Sequence, residues 1–220
     1  MLVIAHRGAS SEAPENSMEA FEKAIALGAD GIELDVRSTA DGVPIVMHDH
    51  SLKRTTGLKL LVSKATAAQV GKARLSNGEG IPTIENILDE FATRTAIYLE
   101  LKDRKSGPEV NRIVGEHPGA KVTVSSFDPF ALDGVGQIPK ALLWDKRGSP
   151  MGAAMRHGCA AIHPRLRRAT ARMVCDAHEW EMDVIVWDVR NPREVARAAK
   201  IGADGLIADD ILMAQRVAPD

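Results

Sequence analysis

"LGADGIELD", residues 27–35, returns almost unchanged as "IGADGLIAD", residues 201–209. Each copy reads as a helix end, a glycine turn and the start of a strand. A repeated strand-and-helix unit points to a fold assembled from such units. Working outward, β-rich runs recur along the chain: LVIAH from Leu2, GIELDV from Gly31, IYLELK from Ile97 and KVTVSSF from Lys121. KALLWD from Lys140, AAIHP from Ala160, DVIVWDV from Asp183 and GLIAD from Gly205 complete the set. Segments of helical spacing lie between them. The clearest is capped by Asn16 or Ser17, places Met18, Phe21 and Ile25 on one face, and stops at Gly28. Others begin at Thr83, Thr170 and Asn191, the last with Pro192 in its first turn. Eight strands with intervening helices predict an α/β fold, a closed (β/α)8 TIM barrel; an open doubly wound sheet is the alternative.

Two stretches leave the alternation. PIVMHD, residues 44–49, predicts a short extra strand after the turn Ala40-Asp41-Gly42. Residues 57–80 carry no strong β run and read as a small insertion between the strand and the helix of the second unit. Residues 1–220 are thus expected to form a single barrel domain.

The bulk properties exclude several classes. Apolar content is 45%, charged content 26% and formal net charge −2, so nothing favours nucleic acid or an anionic membrane as a general partner. Cys159 and Cys175 make no disulfide framework in 220 residues and read as two buried thiols of a reducing compartment. MLVIAHRGA lacks the basic start and apolar core of a signal peptide, and no stretch approaches the roughly 20 apolar residues of a membrane span. A cytoplasmic protein without stable membrane association is expected. A homo-oligomer is left open, since nothing marks an interface.

The chemistry follows from strand parity. Residues two apart in a strand share a face. Glu33 and Asp35 therefore face the barrel axis while Ile32, Leu34 and Val36 face the helices. By the same rule Glu100 pairs with Lys102, His6 with Ile4, Trp187 with Ile185, and His48 with Val46. Barrel enzymes keep their active sites at the C-terminal ends of the strands, where these groups would converge. Two carboxylates ~4 Å apart repel by roughly 4 kcal/mol at an effective dielectric near 20. Glu33, Asp35 and Glu100 together would need a hard divalent ion, Mg²⁺ or Ca²⁺. With Arg7, Lys102 and one bound phosphodiester, the charges then sum to zero. Pairing of the acids with lysine or arginine at the barrel mouth is the plainer alternative.

In order and spacing, these pieces resemble the glycerophosphodiester phosphodiesterase family. The resemblance rests on HRGASSEAPENSMEAF from His6, GADGIELDVRSTADGVPIVMHDHSLKRTTG from Gly28, IPTIENIL, YLELK and SSFDP. It is fainter in VIVWDV and GADGLIADD. It implies metal-dependent hydrolysis of glycerophosphodiesters to sn-glycerol 3-phosphate and an alcohol. Carried over by position, His6 and His48 would be the catalytic acid and base, and Glu33, Asp35 and Glu100 the metal ligands. Arg7 and Lys102 would contact the phosphate, and Trp187 would line the substrate site. Glu15 and Asn16 would brace the first loop, and Asp49 would orient His48. The resemblance further implies attack by the substrate's own glycerol hydroxyl, giving a cyclic phosphate that water opens. Two departures touch the barrel mouth: Trp187-Asp188-Val189-Arg190 replaces the family's W-T-V-N, and Ala208-Asp209-Asp210-Ile211 replaces T-D-x-P. They bear on the preferred alcohol. Two other functions compete: a lysophospholipase D-like phosphodiesterase, which would need an apolar rim, and a non-catalytic barrel that binds phosphate esters.

Overall fold

The computed structural model describes residues 1–219. Its strands are β1 (Leu2–His6), β2 (Gly31–Ser38), β3 (Pro44–Val46), β4 (Ala96–Leu101), β5 (Val122–Ser126), β6 (Lys140–Trp144), β7 (Ala161–Pro164), β8 (Asp183–Val189) and β9 (Gly205–Ala208). Neighbours run β1-β9-β8-β7-β6-β5-β4-β2, all parallel, and a β1–β2 pairing closes the ring. That closure excludes the open sheet. The connections carry helices Met18–Ala26, Ile84–Phe91, Ser106–Gly115, Met151–Arg156, Ala171–His178, Pro192–Lys200 and Ile211–Gln215. After β5 the connection is a 3-10 segment, Pro129–Val135.

The repeated phrase has one physical job in both places. Asp30 accepts the Val3 N–H at 2.7 Å through Oδ2 and donates its own N–H to the Val3 carbonyl at 2.9 Å. Asp204 does the same to Val184, at 2.7 and 2.9 Å. Each aspartate clips its turn to the start of the neighbouring strand. Gly28 and Gly202, at φ 79° and 82°, end the preceding helices in the left-handed conformation that such an exit needs.

Parity then sorts the side chains. Ile32, Leu34 and Val36 join Phe21, Ile87, Leu88 and Phe91 in the main core between barrel and helices. Phe21 and Phe91 meet edge to face at 6.0 Å. Burying side chains of this size contributes about 1.5–3 kcal/mol each. Ile4, Ile185 and Ile207 fill the barrel interior.

Residues 57–80 are more ordered than their sequence suggests. Val62, Val70 and Leu75 pack with Ile45, Met47, Leu52 and Ile81 in a second small core. Glu79 accepts the N–H groups of Met18 and Glu19 at 3.0 and 3.2 Å, placing a carboxylate at the positive end of the first helix.

One expectation needs correction. β3 ends at Val46, so strand parity does not extend to His48: Val46 packs in the main core, while His48 lines the barrel mouth. Met47 still donates its N–H to the Asp35 carbonyl at 2.9 Å, in register with the β2–β3 ladder, and the chain departs only after that bond. The helix Ser106–Gly115 was also not anticipated. Pro108 sits in its first turn, where a proline is tolerated. Among the described residues, no helix is long and apolar enough to cross a membrane.

Candidate active site

Strand register brings the acids together. His6 lies beside Glu33 across β1 and β2, and Asp35 beside Glu100 across β2 and β4. The chain leaves β1 through Arg7 and Gly8, both left-handed at φ 57° and 80°. Position 8 must be glycine: a Cβ there would lie 2.6 Å from the Ala20 carbonyl carbon. The first helix therefore presses close against the loop that carries His6 and Arg7. Asn16, also left-handed at φ 59°, donates to Asp35 Oδ2 at 2.8 Å through its amide and its N–H to the Arg7 carbonyl at 3.0 Å. Backbone strain of this kind, about 1–3 kcal/mol per residue, persists where surrounding contacts over-determine it.

Glu33, Asp35 and Glu100 are buried, and each offers an oxygen within 4.8 Å of the other two. Burial, and next the charge of Asp35, push the Glu33 carboxyl up to about 7. Asp35 goes the other way. Burial opposes its charge, but Lys102 and Arg7 outweigh that and hold it down at about 2. Lys102 Nζ lies 2.8 Å from Asp35 Oδ1 and also pairs with Glu100, while Arg7 Nε lies 3.0 Å from Asp35 Oδ2. The plainer alternative, acids paired with bases, thus describes Asp35 well. Among the described residues, Glu33 has no lysine or arginine ion pair; its one partner at ion-pair distance is His6, with Nε2 at 4.0 Å. Asp35 Oδ1 and Arg7 Nε are moreover buried without an aligned hydrogen bond, despite their ion-pair distances. Oxygens on opposite sides of one Mg²⁺ or Ca²⁺ stand about 4–5 Å apart. A buried, oxygen-only set with an unaligned carboxylate oxygen fits a hard divalent ion.

Each histidine at the mouth is oriented through Nδ1 by a carboxylate. His6 Nδ1 is 2.6 Å from Asp209, and His48 Nδ1 is 2.7 Å from Asp49. Nε2 of His6 stands 4.0 Å from Glu33. Burial alone would lower the His6 pKa, but the bond to Asp209 and the charge of Glu33 outweigh it and raise the pKa above its ordinary value. The arrangement fixes the tautomer, with Nε2 free for the reaction. Arg37 further holds His48 in place by donating from Nε to its carbonyl at 2.8 Å.

A chain of alternating charges joins the two sides. Arg7 Nη1 donates to Glu15 at 2.9 Å, and Arg54 donates to both Glu15 oxygens at 2.7 Å. Arg54 also donates to Asp49 at 2.6 Å, and Asp49 meets His48. Glu15 therefore links the Arg7 and His48 sides besides bracing the loop. Arg54 and Asp209 were not among the residues singled out from sequence. Arg54 stands in the RTTG stretch, and Asp209 closes the second copy of the repeated phrase; neither position signals its partner.

The groups surround a cavity of about 390 Å³ that includes His6, Arg7, Glu33, His48, Glu100 and Lys102. Its far wall is Phe127, Leu143, Arg165, Trp187, Asp188 and Arg190. Trp187 is fixed by its indole N–H donating to the His163 carbonyl at 2.9 Å. Of this wall only Trp187 was assigned a role from sequence, with Asp188 and Arg190 noted as departures.

A parallel barrel whose mouth combines a buried acidic cluster, paired imidazoles and two cations defines a class: hydrolases of phosphate esters. Residues 6–213 match the glycerophosphoryl diester phosphodiesterase family. A glycerophosphodiester phosphodiesterase of Caldanaerobacter subterraneus is 31% identical over 95% of this chain and 94% of its own. The crystal structure of a glycerophosphodiester phosphodiesterase from Thermotoga maritima superposes with a TM-score of 0.85 at 28% identity, covering 96% of this chain and 95% of that one. One from Agrobacterium tumefaciens gives 0.87 at 25% identity, covering 99% and 100%. The chain belongs to the glycerophosphoryl diester phosphodiesterase family.

Proposed function

We propose that this chain hydrolyses glycerophosphodiesters to sn-glycerol 3-phosphate and an alcohol, using His6 and His48 as proton carriers. The observation that carries the reading is the pair of imidazoles, each tied through Nδ1 to a carboxylate, at the edge of a buried three-carboxylate cluster. A divalent ion, Mg²⁺ or Ca²⁺, held by Glu33, Asp35 and Glu100 would neutralise the phosphate oxygens as charge grows on them. Arg7 and Lys102 add fixed positive charge to the same oxygens. His48 takes the proton of the attacking hydroxyl, while Asp49 stabilises the imidazolium that forms. His6, whose proton is held by Asp209 and Glu33, gives it to the leaving alkoxide. The P–O bond to the alcohol breaks as the bond from the attacking oxygen forms. Whether that oxygen belongs to the glycerol or to water, one water is consumed overall. Cys159 is buried but Cys175 is exposed, against the expectation that both are buried; both thiols are free, which supports a cytoplasmic setting.

The test is hydrolysis of glycerophosphoethanolamine with Mg²⁺ or Ca²⁺, then with chelator. Turnover that chelator abolishes and either ion restores is expected. His6→Ala and His48→Ala should each lower kcat by about 10²–10⁴-fold with an unchanged circular dichroism spectrum. Full activity in excess chelator would remove the ion from the mechanism, and a wild-type rate in either variant would remove that histidine.

A further inference from the structure

We propose that the alcohol this enzyme releases carries a phosphate of its own, held by Arg165 and Arg190 on the far wall of the cavity. The inference rests on the hydrolase reading above and concerns only which diester is preferred. His6 ends β1, whose neighbours in the ring are β2, which carries Glu33 and Asp35, and β9, followed by β8; an alcohol leaving beside His6 on the side away from the acids lies toward the end of β8. There the pairing between β8 and β9 is interrupted by a bulge between Val186 and Val189, and Asp188 is left-handed at φ 66°. A bulge re-aims the side chains it carries. Here it puts Trp187, Asp188 and Arg190 on the cavity wall.

The wall is a set of guanidinium groups held by shared carboxylates. Arg165 Nε donates to Asp188 Oδ2 at 2.6 Å, and Arg190 Nη2 lies 2.5 Å from Asp188 Oδ1. Asp145 in turn pairs with Arg165, Arg167 and Arg168 at 3.0, 2.9 and 3.3 Å. Four guanidinium groups thus share two carboxylates; of these, Arg165, Arg190 and Asp188 line the cavity, which leaves one surplus positive charge on its wall. The inner site, by contrast, is balanced once the ion and the phosphodiester are bound. An anionic group on the alcohol end would complement this surplus. Arg190 is exposed and, among the described residues, its side chain makes only the contact with Asp188, so it can turn onto a ligand.

A cationic alcohol such as choline would meet like charge at Arg165 and Arg190, although Phe127 on the same wall is 44% exposed. Recognition of a quaternary ammonium needs an open aromatic face or an uncommitted carboxylate. The Arg165 guanidinium sits over the Trp187 ring at 5.3 Å, and Phe127 meets that ring edge-on at 5.5 Å. Both oxygens of Asp188 are already engaged. Guanidinium groups in a planar, fixed array are the side chains that bind phosphate through paired N–H donors.

The experiment compares three diesters at low ionic strength: glycerophosphocholine, glycerophosphoglycerol, and glycerophosphoglycerol bearing a phosphate on its distal glycerol. We expect kcat/KM for the phosphorylated diester to exceed that for glycerophosphoglycerol by about tenfold or more, mainly through KM, with glycerophosphocholine lowest. The margin should shrink in 0.5 M salt, because the wall is open to solvent. Arg190→Glu, an exposed change that does not threaten the fold, should bring the ratio of the first two to one or below. A flat or choline-favouring profile in the wild type overturns the inference while leaving the hydrolase reading intact. A ratio unchanged in Arg190→Glu also overturns it. No turnover of any of the three overturns the hydrolase reading itself.

Discussion

Replacing Glu33 by glutamine in metal-free protein should stabilise the fold at pH 8. Glu33 is 3% exposed, and its pKa stands at about 7 against an ordinary 4.5. A raised folded pKa means the folded state holds this proton more tightly than the unfolded chain does. Its contribution is complete below pH 4.5 and is lost as pH rises through 7. At pH 8 the ionised carboxylate therefore costs about 3 kcal/mol, since each tenfold change in proton affinity is worth about 1.4 kcal/mol. Coulomb repulsion from one neighbouring carboxylate within 4.8 Å is of the same size, about 3 kcal/mol or more at an effective dielectric of 20. Glutamine keeps the shape, keeps an oxygen for the Arg7 N–H that Glu33 accepts at 3.1 Å, and carries no charge. Urea unfolding in chelator should show wild type and variant nearly equal at pH 4.5. At pH 8 the variant should lead by up to about 3 kcal/mol. Saturating Mg²⁺ or Ca²⁺ should reverse the order, because an ion that binds only the folded state stabilises the better site more. A variant less stable than wild type at pH 8 in chelator, or a gap that does not change with pH, would refute the reasoning.

Other perturbations probe the supports of the site. Arg54→Gln removes the link between Glu15 and Asp49 and should lower kcat by about tenfold to a hundredfold with a smaller change in KM. Steady-state kinetics give the split, and an unaltered kcat would mean that Asp49 holds His48 unaided. Asp209→Asn removes the carboxylate that raises the His6 pKa, so the limb of the pH–rate profile set by His6 should move to lower pH. A limb that stays in place would show that another group sets it. Phe91→Ala opens a cavity beside Phe21 and should cost about 3–5 kcal/mol in thermal or urea unfolding; a loss below about 1 kcal/mol would mean the core relaxes around it.

Much of this protein could be read from strand parity and turn chemistry alone. Those are local properties: a residue's face follows from its neighbours two positions away, and a helix end from the glycine that closes it. They gave the inward acids Glu33 and Asp35, the Glu100 and Lys102 pair, and the strand-end position of His6. The same rule failed at His48, because β3 ends at Val46 and the chain departs after the last in-register bond, from Met47 to Asp35. It was silent on Ser106–Gly115, where Gly107 approaches the Ala131 carbonyl in a contact between distant segments.

Sequence by itself determined which side chains face the axis and which residue types are present, since both depend on short-range geometry. Only the closed barrel decided who meets whom. Asp209 reaches His6 across 203 positions, and Arg54 reaches Glu15 across 39. Arg165 and Arg190 come to share Asp188 through a bulge that no local pattern announces. Electrostatic partnership depends on distance in space, and ring closure sets that distance. The pKa values, the oriented imidazoles and the basic wall are therefore properties of the fold.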